Sequence, residues 1–217
     1  MNKNPSNKYS RKPESGLTDI RDFNGVIVGT GGQGQITLLQ VLAQAARFED
    51  LDFKTSELHG LSQKGGPVEV HFRFGKNIFS PLVKEGGADL IISLEKQEAL
   101  RACYYASKEA KTVFLVNDLL LPILGQKPFL KEEISKVLKK FSEKTIFVPA
   151  SEICQKEFQA AIAAGIFLIS LASFKGLLPL KPSSLKRAIQ KNIKAKYLEL
   201  NLKIFELARE KAKNFDF

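Results

Sequence analysis

An α/β protein, a sheet with flanking helices and a helical C-terminal segment, is what the sequence predicts, on three observations. Short β-branched runs alternate with stretches of helical periodicity. A glycine cluster sits directly between the first such run and the first such stretch. With 44% apolar and 26% charged residues in 217, the composition lies near globular averages, which excludes collagen-like, coiled-coil and wholly disordered chains. That length suits one domain with appendages.

Residues 1–22 are rich in Asn, Lys, Ser and Pro and nearly devoid of apolar side chains, so they predict a flexible tail ahead of a domain spanning 23–217. The tail lacks the apolar stretch of a secretory signal, which makes the cytoplasm the expected compartment. Gly25 to Val28 predicts a strand that enters the turn Gly29–Thr30–Gly31–Gly32–Gln33–Gly34. Ile36, Leu39, Gln40, Leu42 and Ala43 then fall at helical spacing. An extended stretch at Phe53–Leu58 leads through the loop His59–Pro67 to an alternating strand at Val68–Phe74. Gly75–Lys76–Asn77 predicts a turn into a further short strand at Ile78–Phe79. Ala88–Leu94 and Thr112–Val116 read as buried strands with a helix at Glu95–Ala106 between them. A Lys/Glu-rich helix over 131–141, a strand at Thr145–Val148 and helices over 151–174, 182–192 and 194–214 complete the chain. The stretch Phe158–Phe174 is apolar over 17 residues but contains Gln159, Gly165 and two serines. It is short for a bilayer core of roughly 30 Å, so it predicts a buried helix and no membrane partner.

The net charge of +10 raises a nucleic-acid reading, and its distribution weighs against that reading. Residues 181–217 hold ten Lys or Arg against four acids, a net of +6, interleaved with Tyr197, Leu198, Leu202, Phe205 and Leu207 at helical spacing. That is the pattern of an amphipathic helix with a wet basic face, or of a helix that docks onto an acidic partner. Neither zinc-finger spacing nor an aromatic RNA-binding signature accompanies it, so nucleic acid is not an expected partner. Cys103 and Cys154, the two cysteines, form no CxxC pair and supply neither a disulfide framework nor a metal or iron–sulfur ligand set.

Gly29, Gly31 and Gly34 match GxGxxG between a strand and a helix, where backbone N–H groups can cradle an anion. A dinucleotide site also needs an acid at the end of the second strand. Glu49 and Asp50 come before that strand and Glu57 falls late, so a free-standing dinucleotide module is incompletely specified. Close strand–helix packing, or contact with a phosphate or a partner's backbone, serves the glycines as well. The following loop, Thr55 to Val68, carries more polar function than a connection needs. Ser62, Gln63 and His59 could bond the loop to itself while Gly65–Gly66 turn it, or they could make contacts. Nothing in the spacing of Glu57, His59, Ser62 and Lys64 fixes a nucleophile and base, so catalytic residues are unassigned.

Taken in order, GTGGQG after a strand, SELHGLSQKGGPVEVHFRFG, SPL and ADLIISLEKQEALR resemble the gamma-type subunit of 2-oxoacid:ferredoxin oxidoreductases, closest to the small (beta) subunit of the indolepyruvate branch, over about residues 23–215. The resemblance implies a Rossmann-like sheet of the pyruvate-ferredoxin oxidoreductase gamma-domain type. It implies an oxidoreductase subunit, inactive alone, that supports decarboxylation of indolepyruvate or another aryl pyruvate with acyl transfer to coenzyme A. A gamma subunit acting on pyruvate, 2-ketoisovalerate or 2-oxoglutarate is the alternative within the same family. Thiamine diphosphate with magnesium and 4Fe–4S clusters belong, on this resemblance, to a large partner subunit that passes electrons to ferredoxin. No cofactor or metal is then expected on this chain. Contact roles, to cofactor or partner, fall by the same resemblance on Gly29, Gly31, Gly32, Gln33, Gly34, His59, Gly60, Ser62, Gln63, Lys64, Gly65, Gly66, Arg73 and Glu95. Three positions depart from the family pattern: Lys64 stands for a common Arg, Leu61 for a frequent Met and Pro67 for a small polar residue. Lys64 keeps a cation and gives up the planar bidentate fork.

Overall fold

The computed structural model describes residues 22–59, 65–76, 78–121 and 129–215, with His59 by its backbone alone. Residues 1–21 of the expected tail and the loop residues Gly60, Ser62, Gln63 and Lys64 lie outside the described residues.

Six strands form one mixed sheet in the order β2-β3-β1-β4-β5-β6. They are β1 (Phe23–Thr30), β2 (Asp52–His59), β3 (Pro67–Gly75), β4 (Leu90–Ser93), β5 (Val113–Asn117) and β6 (Lys144–Val148). Strands β1, β4, β5 and β6 pair in parallel, and β3 runs antiparallel to both β1 and β2. Period-two alternation divides the apolar residues between the faces. Ile27, Ile92 and Leu115 join one core with α1 (Gln35–Arg47), α4 (Ala150–Phe158), α5 (Ala164–Phe174), α6 (Pro182–Asn192) and α7 (Ala195–Lys211). Val26, Val28, Ile91, Phe114 and Val116 face the other, against α2 (Glu98–Arg101), the 3-10 turn Ala102–Tyr105 and α3 (Lys131–Leu138). The result is three layers, helices over both faces of the sheet, as the alternation of elements implies.

The mixed order places β3 where a dinucleotide-binding sheet has the strand that follows α1. The residues explain the exchange. β3 buries Val70, Phe72 and Phe74 on one face and His71 on the other, which suits an interior position, whereas β2 exposes Asp52, Lys54, Glu57 and Leu58 and sits at the edge.

Three expected elements differ. Ile78–Phe79 is not a strand: Ile78 N–H donates to Asp52 Oδ2 at 3.1 Å, Val83 N–H to His71 Nδ1 at 3.1 Å, and Arg73 Nη1 to the Ser80 carbonyl at 2.8 Å. Side chains thus satisfy this backbone in place of a ladder, and Phe79 is left 91% exposed. The helix expected over Glu95–Ala106 begins at Glu98 and tightens into the 3-10 turn. The helix expected over 151–174 is broken at Gln159, whose φ of 55° is left-handed and whose N–H closes back to Gln155 O at 2.9 Å. The chain turns there so that α5, buried from Ala164 to Ser173, can run beneath the sheet. Among the described residues no helix is long and apolar enough to cross a membrane.

Candidate functional site

Parallel pairing brings the ends of β1, β4, β5 and β6 to one edge of the sheet, together with the end of β2 and the start of β3. Open α/β sheets gather their ligands at this edge. The glycine turn lies here, between β1 and α1. Its Gln33 folds back so that Oε1 accepts from Thr30 N–H at 2.9 Å, while Gln35 Nε2 donates to the Thr30 carbonyl at 2.9 Å. Those two amides occupy the space beside Gly29, where a Cβ would lie 2.4 Å from Gln33 Oε1 and 2.8 Å from Gln35 Nε2. Gly34, at φ 83°, starts α1 with no side-chain cap and no acid in the first turn. The first N–H groups of a 13-residue helix are therefore offered at this edge with no acid in the helix's own first turn.

The two motifs of the sequence meet here. The β1–β3 register puts Gly29 opposite Val68 and Thr30 opposite Pro67. Beyond the ladder, Gly31 N–H donates to Gly66 O at 2.8 Å and Gly65 N–H to Gly31 O at 3.2 Å. The glycine turn and the end of the polar loop are thus one backbone unit. A cavity of about 350 Å³ opens beside it, lined by Gly31, Gly32, Gly34, Gln35, Ile36, Glu57 and Val68. Glu57, late in the sequence for a ribose-binding acid, reaches this cavity from across β3.

The other expected site residues are placed apart from the turn. Glu95 follows β4 at the same edge but is only 2% exposed. Its Oε2 accepts from Glu98 N–H at 3.2 Å, capping α2, and its Oε1 from Leu121 N–H at 3.4 Å. Burial pushes its carboxyl above the usual range, against the backbone bonds from Gln97, Glu98 and Leu121 and the Lys96 charge. Arg73 lies at the opposite edge: its register partner is Asn24, six residues from the Thr30–Pro67 pair, about 20 Å along the strands. There Arg73 Nε donates to Asn24 Oδ1 at 2.6 Å.

Asn117 and Asp118, not singled out in the sequence, hold this edge together. Asn117 Nδ2 donates to Leu94 O at 3.0 Å and Ser151 Oγ at 2.7 Å, while its Oδ1 accepts from Ser151 N–H at 3.1 Å. It lines a mostly apolar cavity of about 290 Å³ with Gln33, Leu94 and Gly165. Asp118 bonds both Lys96 Nζ, at 2.7 Å, and Lys131 Nζ. Burial raises its carboxyl, and the two lysines outweigh burial and hold it below the usual range. The available signal was a polar pair closing a fully apolar strand.

The cysteines sit on opposite faces of the sheet, Cys103 in one core and Cys154 in the other. Burial pushes their thiols up to about 11 and about 12. Two separated, protonated thiols do not fit an iron–sulfur cluster. Among the described residues no group of three or more His, Cys, Asp or Glu is placed to hold a metal ion.

The family model described as Pyruvate ferredoxin/flavodoxin oxidoreductase matches residues 24–211. An indolepyruvate oxidoreductase subunit, IorB, of Archaeoglobus fulgidus is 34% identical over 194 residues, 88% of this chain and 95% of that protein. The subunit of the same name from Thermococcus kodakarensis is 31% identical over 199 residues, 89% of this chain and 98% of its own length. Among solved structures, the gamma subunit of a keto/oxoacid ferredoxin oxidoreductase from Geobacter sulfurreducens shares the fold with a TM-score of 0.62 at 19% identity, covering 89% of this chain and 99% of that one. A 2-oxoglutarate:ferredoxin oxidoreductase from Magnetococcus marinus, solved with 2-oxoglutarate, coenzyme A and succinyl-CoA, gives 0.69 at 16% identity over 91% of this chain and 32% of the longer one. With the motifs, the mixed sheet and these matches in agreement, the chain belongs to the pyruvate ferredoxin/flavodoxin oxidoreductase family.

Proposed function

We propose that this chain is the small subunit of a thiamine diphosphate-dependent 2-oxoacid:ferredoxin oxidoreductase, with indolepyruvate or a related aryl pyruvate as substrate. The observation that carries the reading is the near end-to-end similarity to IorB subunits, at 34% and 31% identity. The cysteine arrangement supports it, because a chain with these two thiols leaves iron–sulfur clusters to another subunit. In this reading the large partner subunit holds thiamine diphosphate, magnesium and the 4Fe–4S clusters. When bound there, the thiamine supplies the carbanion chemistry and the clusters take electrons to ferredoxin. This chain contributes the bridged unit of Gly29–Gly34 and Gly65–Gly66 at the edge of its sheet. The uncapped start of α1 favours an anion there, the phosphates of coenzyme A or the substrate carboxylate.

Anaerobic tagged purification from the native cell tests the assembly. A stoichiometric large chain with cysteine-rich cluster motifs, and coenzyme A-dependent ferredoxin reduction by indolepyruvate in that complex, is the expected result. Recovery of this chain alone overturns it. In the active complex, Lys64→Gln raises the KM for one anionic substrate, and unchanged kinetics remove Lys64 from the contact. A second reading, a free-standing dinucleotide-binding module, is favoured by Glu57 at the cavity beside the glycine turn. It requires nicotinamide or flavin to copurify with the chain alone.

A further inference from the structure

On the face of the sheet opposite α1, a cavity of about 320 Å³ opens at the same edge, between the ends of β1 and β2, the start of β3 and the helix α2. Its volume is at the low end of small-molecule sites. Val28, Leu58 and Val68 give it an apolar wall, and Leu58 is 44% exposed. Glu69, Glu98 and Arg101 give it charge of both signs. Because His71 Nδ1 accepts from Val83 N–H, its Nε2 carries the proton and donates to Glu69 Oε1 at 2.9 Å. Tyr105 Oη donates to the same oxygen at 2.6 Å. Burial opposes the ionisation of Glu69, and these bonds outweigh it and hold the carboxyl below the usual range, so a carboxylate stands at the cavity. Both bonds fall on Oε1, and among the described residues no donor meets Oε2. Arg101 Nε lies 3.2 Å from Glu98 Oε2, and among the described residues neither Nη group of its fork has a partner.

Unlike charges thus stand side by side at this cavity, with bonding positions open on both. A lone amine would set its charge against Arg101, and a lone acid would face Glu69 and Glu98. A ligand with an ammonium and a carboxylate on neighbouring atoms meets both signs, and an apolar group on it covers Leu58. We infer that this cavity binds a zwitterionic α-amino acid with an apolar side chain. Its ammonium donates to Glu69 Oε2, its carboxylate accepts from the two Nη groups of Arg101, and its side chain packs on Leu58, Val28 and Val68. The site shares only Val68 with the cavity beside the glycine turn. It uses side chains of this chain alone and holds whether or not the subunit reading does.

Calorimetric titration of the full chain with three related compounds tests it: L-phenylalanine, phenethylamine, which lacks the carboxylate, and 3-phenylpropionate, which lacks the ammonium. L-Phenylalanine binds with a Kd below about 1 mM, and each of the other two is at least about tenfold weaker for want of one charge-assisted bond. Arg101→Ala brings L-phenylalanine down to the level of phenethylamine, because only the amino acid has a carboxylate for the fork. Glu69→Gln brings it down toward 3-phenylpropionate. The Arg101 side chain is 64% exposed, so its variant folds even if Glu69→Gln does not. Lys156→Ala, which removes the same charge from α4 across the sheet, leaves binding unchanged. Failure of L-phenylalanine to bind overturns the inference, as does equal binding of phenethylamine or a preference for the amino acid that survives Arg101→Ala. Recovery of this chain without a partner would sink the subunit reading and leave this result standing.

Discussion

Replacing Gly29 by Ala tests whether the glycine turn is held by the folded-back amides of Gln33 and Gln35. The new Cβ enters the space of both amide ends, 2.4 Å and 2.8 Å away, so both must leave. Their bonds to Thr30 N–H and Thr30 O go with them. At about 1 kcal/mol net per bond the loss is about 2 kcal/mol, offset by about 0.5–1 kcal/mol from replacing a strand glycine. A chain of this length loses about 2–4 °C in Tm per kcal/mol, so Gly29→Ala falls by about 2–6 °C. Gln33→Ala alone costs about 1 kcal/mol by orphaning Thr30 N–H. With Gln33 already truncated, Gly29→Ala displaces only Gln35, so the double variant is less destabilised than the sum by about 1 kcal/mol. Urea unfolding followed by far-UV circular dichroism reads this, since the chain has no tryptophan. Strict additivity, or a Gly29→Ala protein as stable as wild type, refutes the account.

Further expectations concern the core and its titrating groups. Glu95 is raised by burial, so just above the ordinary carboxylate range of 4.5 the folded state holds a proton that the unfolded chain releases, and stability falls as pH rises through that window. Glu95→Gln removes this slope, and a wild-type minus variant Tm difference independent of pH between 4.5 and 7 contradicts it. Glu69 runs the other way: burial opposes its ionisation, but bonds from His71 Nε2 at 2.9 Å and Tyr105 Oη at 2.6 Å hold it below 4.5. Its contribution is present above the unfolded value and disappears as pH falls through the lowered one, so Glu69→Gln costs stability at pH 7 and converges on wild type in acid. Cys103 and Cys154 resist a thiol reagent at pH 8 until denaturant is added, and rapid stoichiometric reaction of the native chain would contradict their burial. Gly25→Ala drives a Cβ to 2.0 Å from Phe72 Cζ inside the core, which costs about 1–3 kcal/mol, and Phe72→Leu recovers part of the loss in the same unfolding assay.

Much of the fold was legible because it is local. The strand, glycine turn and helix from Phe23 to Arg47 declare themselves by β-branching, φ-permissive residues and helical spacing within 25 positions. Strand order was not legible, since the insertion of β3 between β1 and β2 depends on pairing across the molecule. The break at Gln159 was hidden because a glutamine in the left-handed region leaves no mark of the kind glycine or proline leaves. At the site, the glycines and the polar loop could be named separately, but the bonds joining Gly31 to Gly65 and Gly66 follow from a register no spacing reveals. Arg73 shows the converse: it is near that loop in sequence and at the far edge in space, because an extended strand carries the chain away at about 3.3 Å per residue.

The same distinction between composition and placement settles where the surplus positive charge acts. Two of the three acids on α7 are already engaged: Glu199 with Lys203 at 2.7 Å, and Glu206 with Lys186 at 2.6 Å and Arg209 at 3.7 Å. Arg187 and Lys191 instead lie over the Phe48 ring, 4.1 and 5.7 Å from its centroid, and Lys196 lies 4.5 Å from that of Tyr197. The face that α7 buries carries Asn201, Ile204, Phe205 and Ala208, while Tyr197, expected on the apolar stripe, turns outward. Helical amphipathicity therefore accounts for most of the basic tail. Among the described residues Arg187, Lys191, Lys194 and Lys196 are left without a carboxylate, the first two over Phe48 at the C-terminal end of α1 and the last two where α6 gives way to α7. Cations held over rings and divided between two places do not make the continuous track that a long polyanion needs.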